Sequence, residues 1–106
     1  MNLFKIPVFQ SDDEQIKVLF EDSYVRVEQI ISMGQTSPAG FWYQQEEDER
    51  VAILQGEAIL RVQDSLVHLL QGDTYFLPAL LKHRVEFTSK DPACIWLCLF
   101  TKKRET

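Results

Sequence analysis

Short apolar segments separated by turn residues fill the sequence from Val51 onward. Their close and fairly even spacing is typical of a sandwich or barrel made of many short strands. Turn-forming residues fall at positions 55–57, 64–65, 71–73 and 89–92. The pattern therefore predicts six strands, at approximately residues 50–54, 57–63, 66–70, 74–77, 82–88 and 93–101.

Alternation within these strands indicates which side chains face the core, because successive side chains of a strand point to opposite faces. In residues 57–63, the predicted core face consists of Ala58, Leu60 and Val62. In residues 82–88, it consists of His83, Val85 and Phe87, and the opposite face of Lys82, Arg84, Glu86 and Thr88. His83 is thus expected to point inward.

An additional strand is predicted before these six, at residues 24–31. There the apolar face is formed by Val25 and Val27, and the polar face by Arg26 and Glu28. Residues 32–40 form the longest predicted loop.

The N-terminal part carries weaker signals. Residues 4–9 predict an edge strand interrupted by Pro7, since proline cannot donate to a sheet ladder. Ser11 is a candidate cap for a short turn, while residues 16–20 lack a long helical face. A chain of 106 residues buries one core and is too short for two. We therefore expect one all-β domain over residues 1–106, with a core barrel at about 24–101 and an N-terminal edge strand and turn at 1–23.

The charge balance narrows the range of partners. The net charge of −5 argues against a nucleic-acid partner, whose phosphates require a basic surface. The single basic run, residues 102–104, is too short for a phosphate track and is interpreted as a solvated tail.

The start of the sequence lacks the leader of a signal peptide, and no apolar run is long enough to cross a membrane. We expect a cytoplasmic protein without a membrane partner. Cys94 and Cys98 share one apolar segment and are interpreted as buried small hydrophobic residues rather than as a redox pair.

Two spaced motifs carry the functional signal. Glu49 is followed by Gly56 with six residues between them, and Gly72 is followed by Pro78 and then by His83 at fixed offsets. Together with the series of strands, these motifs resemble those of the cupins, G-x5-H-x-H-x3/4-E-x6-G and G-x5-P-x-G-x2-H-x3-N. The resemblance covers about residues 34–100 and implies a single jelly-roll barrel.

The sequence departs from the cupin pattern at several positions. Leu80 stands where the family has glycine, and Phe87 where it has asparagine. In metal-binding cupins, two histidines and a glutamate of the first motif converge with the histidine of the second. Here the two histidine positions fall on Trp42 and Gln44, or on Tyr43 and Gln45, depending on the spacing before Glu49.

This replacement favours a barrel without a tight metal site, because an amide binds transition metals less well than imidazole. The alternative is a weakly bound divalent metal held by Gln45, Glu49 and His83. His68, the second histidine of the sequence, is interpreted as a surface or packed residue rather than a replacement ligand.

The resemblance implies a site inside the barrel, and we expect it to bind a small organic molecule through Trp42, Tyr43, Gln45, Glu49 and His83. An alternative is an enzyme of dioxygenase or isomerase type, with Glu49 and His83 as catalytic residues. Another is a non-catalytic interaction module in which the two residues only satisfy each other. A homodimer is expected in each case, because small cupins often pair and aromatic residues are enriched at interfaces.

Overall fold

The computed structural model describes residues 1–7 and 12–103. Within these residues it contains eight β-strands and no helix, and therefore no helix that could cross a membrane. The strands are β1 (Gln15–Glu21), β2 (Val25–Ser32), β3 (Asp48–Gln55), β4 (Ala58–Val62), β5 (Ser65–Leu69), β6 (Thr74–Leu77), β7 (His83–Thr88) and β8 (Cys94–Thr101).

The strands form two antiparallel sheets that enclose the core as a jelly-roll barrel. One sheet has five strands in the order β1-β2-β8-β3-β6, and the other has three in the order β5-β4-β7. Ala58, Leu60 and Val62 are buried on the inner face of β4, as predicted. Cys94 and Cys98 are both free and buried, which agrees with their interpretation as small core residues.

Two motif glycines form the tight turns that the spacing indicates. Gly56 connects β3 to β4 with a φ of 76°, and Gly72 precedes β6 with a φ of 89°. A Cβ atom at Gly56 would lie 2.3 Å from Ser89 Oγ and 2.8 Å from Ala93 O. This turn therefore requires glycine for both its backbone conformation and its close packing.

The N-terminal strand lies further along the chain than predicted. Residues 4–7 are not in a strand, and residues 8 and 9 of the predicted edge strand, like Ser11, lie outside the described residues. The edge strand is instead β1, which pairs with β2. A register shift between Val18 and Phe20 interrupts its alternation, so that the sequence pattern did not reveal it.

The predicted inner face of β2 is wrong. Arg26 and Glu28 line the interior of the barrel, while Val27 lies on the outer face of the five-stranded sheet. The pattern misled because this sheet carries apolar side chains on its outer face as well. Val27 pairs there with Leu99 of β8.

The prediction for β7 is correct at its start and wrong at its end. His83 is buried, but Phe87 is 41% exposed and Thr88 is only 3% exposed. The register against β4 shifts between Ile59 and Leu60, so that one residue of β7 is skipped. A β-bulge of this kind exchanges the faces of all residues that follow it.

Candidate functional site

The interior of the barrel contains a cavity of about 220 Å³. This volume is below the roughly 300–1,000 Å³ of drug-sized ligand pockets and corresponds to a molecule of about monosaccharide size or smaller. Its polar lining residues are Glu14, Arg26, Glu28, Tyr43, Gln45, Glu49, His83 and Cys98. Apolar side chains, including Leu60, Leu77, Trp96 and Phe100, form the remaining wall.

Glu49 and His83 meet inside this cavity from opposite sheets. Glu49 lies on β3 and His83 on β7, and their side chains are 10% and 6% exposed. His83 Nε2 is 3.5 Å from Glu49 Oε1, and His83 Nδ1 is 3.1 Å from Leu81 O. Because a carbonyl oxygen only accepts, we assign the proton of Nδ1 to this bond. Nε2 is then the ring atom that faces Glu49 and the cavity.

Tyr43 is fixed directly over the ring of His83. Tyr43 N donates to His83 O at 2.7 Å, and His83 N donates to Tyr43 O at 3.1 Å. This isolated bridge places both side chains on the same side, where their rings stack with centroids 5.3 Å apart. The loop before β3 is thus attached to the first residue of β7.

Gln45 completes the group around the carboxylate. Its Nε2 donates to Glu49 Oε1 at 3.1 Å. The thiol of Cys98 also donates to Glu49, and the pKa of Cys98 is raised by burial first and by nearby carboxylates second. Of the two candidate pairs for the cupin histidine positions, Tyr43 and Gln45 are thus the pair that lines the cavity. This pair corresponds to the shorter spacing, with three residues between Gln45 and Glu49.

Trp42 and Gln44 lie outside the cavity, which corrects the prediction that Trp42 lines it. The guanidinium of Arg84 lies 5.9 Å from the Trp42 ring centroid, and Gln44 Nε2 donates to Leu80 O at 3.1 Å. In an extended segment, neighbouring side chains point to opposite sides. Once Tyr43 and Gln45 face inward, Trp42 and Gln44 must face away.

The residues at the cupin metal position do not fit a metal ion. Gln45 directs its amide nitrogen, a donor, at Glu49, and Tyr43 stacks on the face of the imidazole. Burial, followed by the charges of Glu14 and Glu49, raises the pKa of Tyr43 and disfavours its phenolate. His68 lies on β5, half exposed and 3.6 Å from Glu57. Within residues 1–7 and 12–103, no three His, Cys, Asp or Glu side chains are grouped as metal ligands.

An ion-pair network missed by the sequence analysis lies beside the Glu49–His83 pair. Arg26 Nε donates to Glu28 at 2.8 Å, and its two terminal nitrogens donate to Glu47 at 3.0 and 3.1 Å. The guanidinium also lies 4.3 Å from the Phe100 ring centroid. Three of the five guanidinium N–H groups therefore already donate to carboxylates, in the planar geometry that suits arginine. The adjacent positions of Arg26 and Glu28 on one face of β2 were the available signal.

Glu14, also missed, enters the cavity from the segment before β1. The hydroxyl of Ser32 donates to Glu14 Oε2 at 3.1 Å, and Trp96 Nε1 donates to Ser32 Oγ at 3.1 Å. Burial raises the pKa of Glu14, and the charges of Glu28 and Asp13 raise it further, while the Ser32 hydrogen bond acts in the opposite direction. A carboxylate from the N-terminal segment is thus part of the barrel interior.

An open groove leads to the cavity, and the two share Glu14, Ile16, Tyr43 and Val85 in their linings. One wall of the groove is the loop of residues 33–38. Arg84 holds this loop by donating to the carbonyl oxygens of Ser37, Pro38 and Phe41, each at 3.0 Å. Arg84 therefore positions the entrance and, through the same loop, the segment that carries Tyr43.

Comparison with solved structures finds the same fold. A "putative mannose-6-phosphate isomerase" from Ralstonia eutropha JMP134 is 32% identical, with a TM-score of 0.90 and 97% of each chain covered. A cupin superfamily protein from Desulfitobacterium hafniense DCB-2 is 17% identical, with a TM-score of 0.77, over 92% of this chain and 84% of that chain. KdgF from a Halomonas species is 19% identical, with a TM-score of 0.72, over 90% of this chain and 87% of that chain. The two less similar proteins share the fold alone.

Comparison with curated proteins finds no match. A match to the cupin domain family spans residues 27–100, which include both motifs and every strand from β3 to β7. With two sheets closed around Glu49 and His83 and this match over most of the sequence, the chain belongs to the cupin family.

Proposed function

We propose that this cupin binds a small polar organic molecule inside its barrel and does so without a tight metal site. The observation that carries the proposal is the cavity of about 220 Å³ in which Glu49, His83, Gln45 and Tyr43 converge against an apolar wall. A few polar groups in an apolar concave site are the usual composition of a ligand pocket. The groove that shares its lining supplies a route for the ligand.

A metal-free enzyme that transfers protons is the second candidate. The observation that favours it is the bond of His83 Nδ1 to Leu81 O, which directs Nε2 toward Glu49. A carboxylate beside an oriented imidazole is an arrangement suited to general acid–base catalysis. In this candidate, Glu49 and His83 are the catalytic residues of an isomerase-type reaction.

We also propose that the protein forms a homodimer through the outer face of the five-stranded sheet. Residues that are cross-strand neighbours form a continuous row across this face, in the order Phe20, Val27, Leu99, Arg50 and Phe76. Phe20 and Phe76 are 55% and 45% exposed. Arg50 shares this face with Asp48, two residues away on β3. In a dimer with a two-fold axis, Arg50 of each copy can therefore pair with Asp48 of the other.

The binding proposal is tested by adding a library of neutral, cationic and anionic metabolites to metal-free protein and recording ¹H–¹⁵N spectra. We expect shifts confined to residues that line the cavity, and loss of these shifts in Leu60→Trp, which fills the cavity with a larger apolar side chain. Elemental analysis of untagged protein incubated with each divalent ion is the parallel measurement. Near-stoichiometric metal that disappears in His83→Ala, or an absence of any cavity-confined shift, contradicts the proposal.

A further inference from the structure

The cations inside the barrel are already matched by carboxylates. Arg26 is bound by Glu28 and Glu47, and His83 lies beside Glu49. Glu14 remains as an additional carboxylate whose described side-chain partner is the hydroxyl of Ser32. Even with His83 protonated, the cavity lining holds three carboxylates, Glu14, Glu28 and Glu49, against the two cations, so that it carries a surplus of negative charge.

The entrance has the same sign. Asp12, Asp13 and Glu14 line one side of the groove, and Lys90 is the cation among its described lining residues. A charged ligand therefore passes from an acidic groove into an acidic cavity. Like-signed charge along such a path attracts cations and repels anions, since a cleft with low-dielectric walls focuses the field.

Three ionisable groups around the cavity share the effects of burial and of neighbouring carboxylates. The pKa values of Glu14, Tyr43 and Cys98 are all raised, in each case by burial first and then by neighbouring carboxylates. These three groups lie on the N-terminal segment, the loop before β3 and strand β8, and all three line the cavity. The carboxylates of the lining, Glu14, Glu28 and Glu49, lie before β1, on β2 and on β3, so that the negative charge comes from three separate elements of the barrel.

We propose that the cavity selects a small organic amine and excludes phosphate esters and carboxylates. This inference rests on the proposed function, because it names the ligand class of the same site. Glu14 and Glu49 supply acceptors for an ammonium group, and Tyr43 and Trp96 supply aromatic area for the body of the ligand.

A phosphate group requires the opposite arrangement. Proteins bind it through free guanidinium or ammonium groups, or through backbone N–H groups at the start of a helix. Here the one arginine that lines the cavity is engaged by two carboxylates, and the described part of the chain contains no helix. We therefore do not expect this chain to bind a sugar phosphate, although the name of the 32% identical protein refers to one.

The test compares matched ligands that differ in charge. Mannosamine, mannose and mannose 6-phosphate are titrated into the protein by calorimetry, with ¹H–¹⁵N spectra to locate the site. Benzylamine, benzyl alcohol and benzoate repeat the comparison on an aromatic scaffold of nearly constant size. Since a hydrogen bond to a charged group contributes about 1.5–3 kcal/mol, we expect the better amine to bind about tenfold or more tightly than its alcohol. The anions should cause no shift at the cavity.

Glu14→Gln should reduce the ratio of amine affinity to alcohol affinity severalfold, because it removes the surplus carboxylate. Asp64→Asn is the matched control, since it removes the same charge at the exposed turn between β4 and β5 and should preserve the ratio. An anion that binds in the cavity as tightly as its amine overturns the inference but leaves the binding function in place. If neither series shifts a cavity residue, the inference and the binding function both fail.

Discussion

Tyr43 and His83 are joined twice, by a pair of backbone hydrogen bonds and by stacked rings 5.3 Å apart. The aromatic ring covers the face of the imidazole at a position where a metal-binding cupin has a ligand. Gln45, two residues later, donates its amide N–H to the carboxylate of Glu49. This is a contact with an acid and not one that a metal ligand makes. At these two positions the chain therefore has a side chain that stacks on the histidine and one that donates to the glutamate.

This relationship predicts that a metal site can be restored by two substitutions. Tyr43→His combined with Gln45→His should place three imidazoles and one carboxylate in the cavity and bind nickel or manganese near stoichiometrically. Elemental analysis after dialysis measures the metal content. The control is Trp42→His combined with Gln44→His, which changes the outward-facing pair and should bind no metal above the unmodified protein. Metal binding by the control pair alone would show that the assigned spacing is wrong.

The backbone conformation of Leu80 gives a prediction about stability. Leu80 stands at the position of the motif glycine and has a φ of 69°. A left-handed conformation costs a non-glycine residue roughly 1–2 kcal/mol, while glycine costs about 0.5–1 kcal/mol more conformational entropy on folding. Leu80→Gly should therefore stabilise the protein by up to about 1 kcal/mol in urea unfolding. The side chain is 58% exposed, so that little packing is lost.

The control for Leu80→Gly is Leu66→Gly. Leu66 has a similar exposure of 60% but lies within β5, outside the positive-φ positions. Glycine in a strand should destabilise it by about 0.5–1 kcal/mol. Equal destabilisation by both substitutions would exclude backbone strain at Leu80 as a measurable contribution.

Glu14 gives a prediction for pH dependence. Burial raises its pKa in the folded protein above the ordinary value of 4.5, so that the folded state binds this proton more tightly than the unfolded state. The resulting stabilisation is present below pH 4.5 and is lost as the pH rises through the raised pKa. As the pH rises through this pKa, the unmodified protein should therefore lose more stability than the Glu14→Gln variant. Thermal unfolding of both proteins at a series of pH values measures the difference. A constant difference between the two proteins would contradict the buried environment of Glu14.

The proposed homodimer predicts that an additional cation on the outer face of the five-stranded sheet prevents association. Phe76→Lys places a cation beside Arg50, whose guanidinium lies 4.6 Å from the Phe76 ring centroid. Sedimentation equilibrium should show a monomer for this variant and a dimer for the unmodified protein. Phe87→Lys is the control on the other sheet, at a residue that is 41% exposed, and it should remain a dimer. A monomeric unmodified protein would refute the proposal.

Residue patterns along the chain were sufficient to predict the strands from β3 to β8, within one or two residues, and the inward position of His83. These features depend on local alternation and on turn chemistry at residues such as Gly56 and Gly72, both of which are present within a few neighbouring residues. The paired motifs also determined that Glu49 and His83 share one barrel.

Tertiary structure alone decided which residues complete the site. The selection of Tyr43 and Gln45 depends on the bridge to His83, which lies 40 positions along the chain from Tyr43. The spacing of Arg26 and Glu28 indicates that the two share a face of β2, but the burial of this pair and of Glu14 depends on partners from other segments. The β-bulge in β7 likewise arises from its pairing with β4. Local physical chemistry fixed the strands, whereas long-range pairing set the faces, the charge and the lining of the cavity.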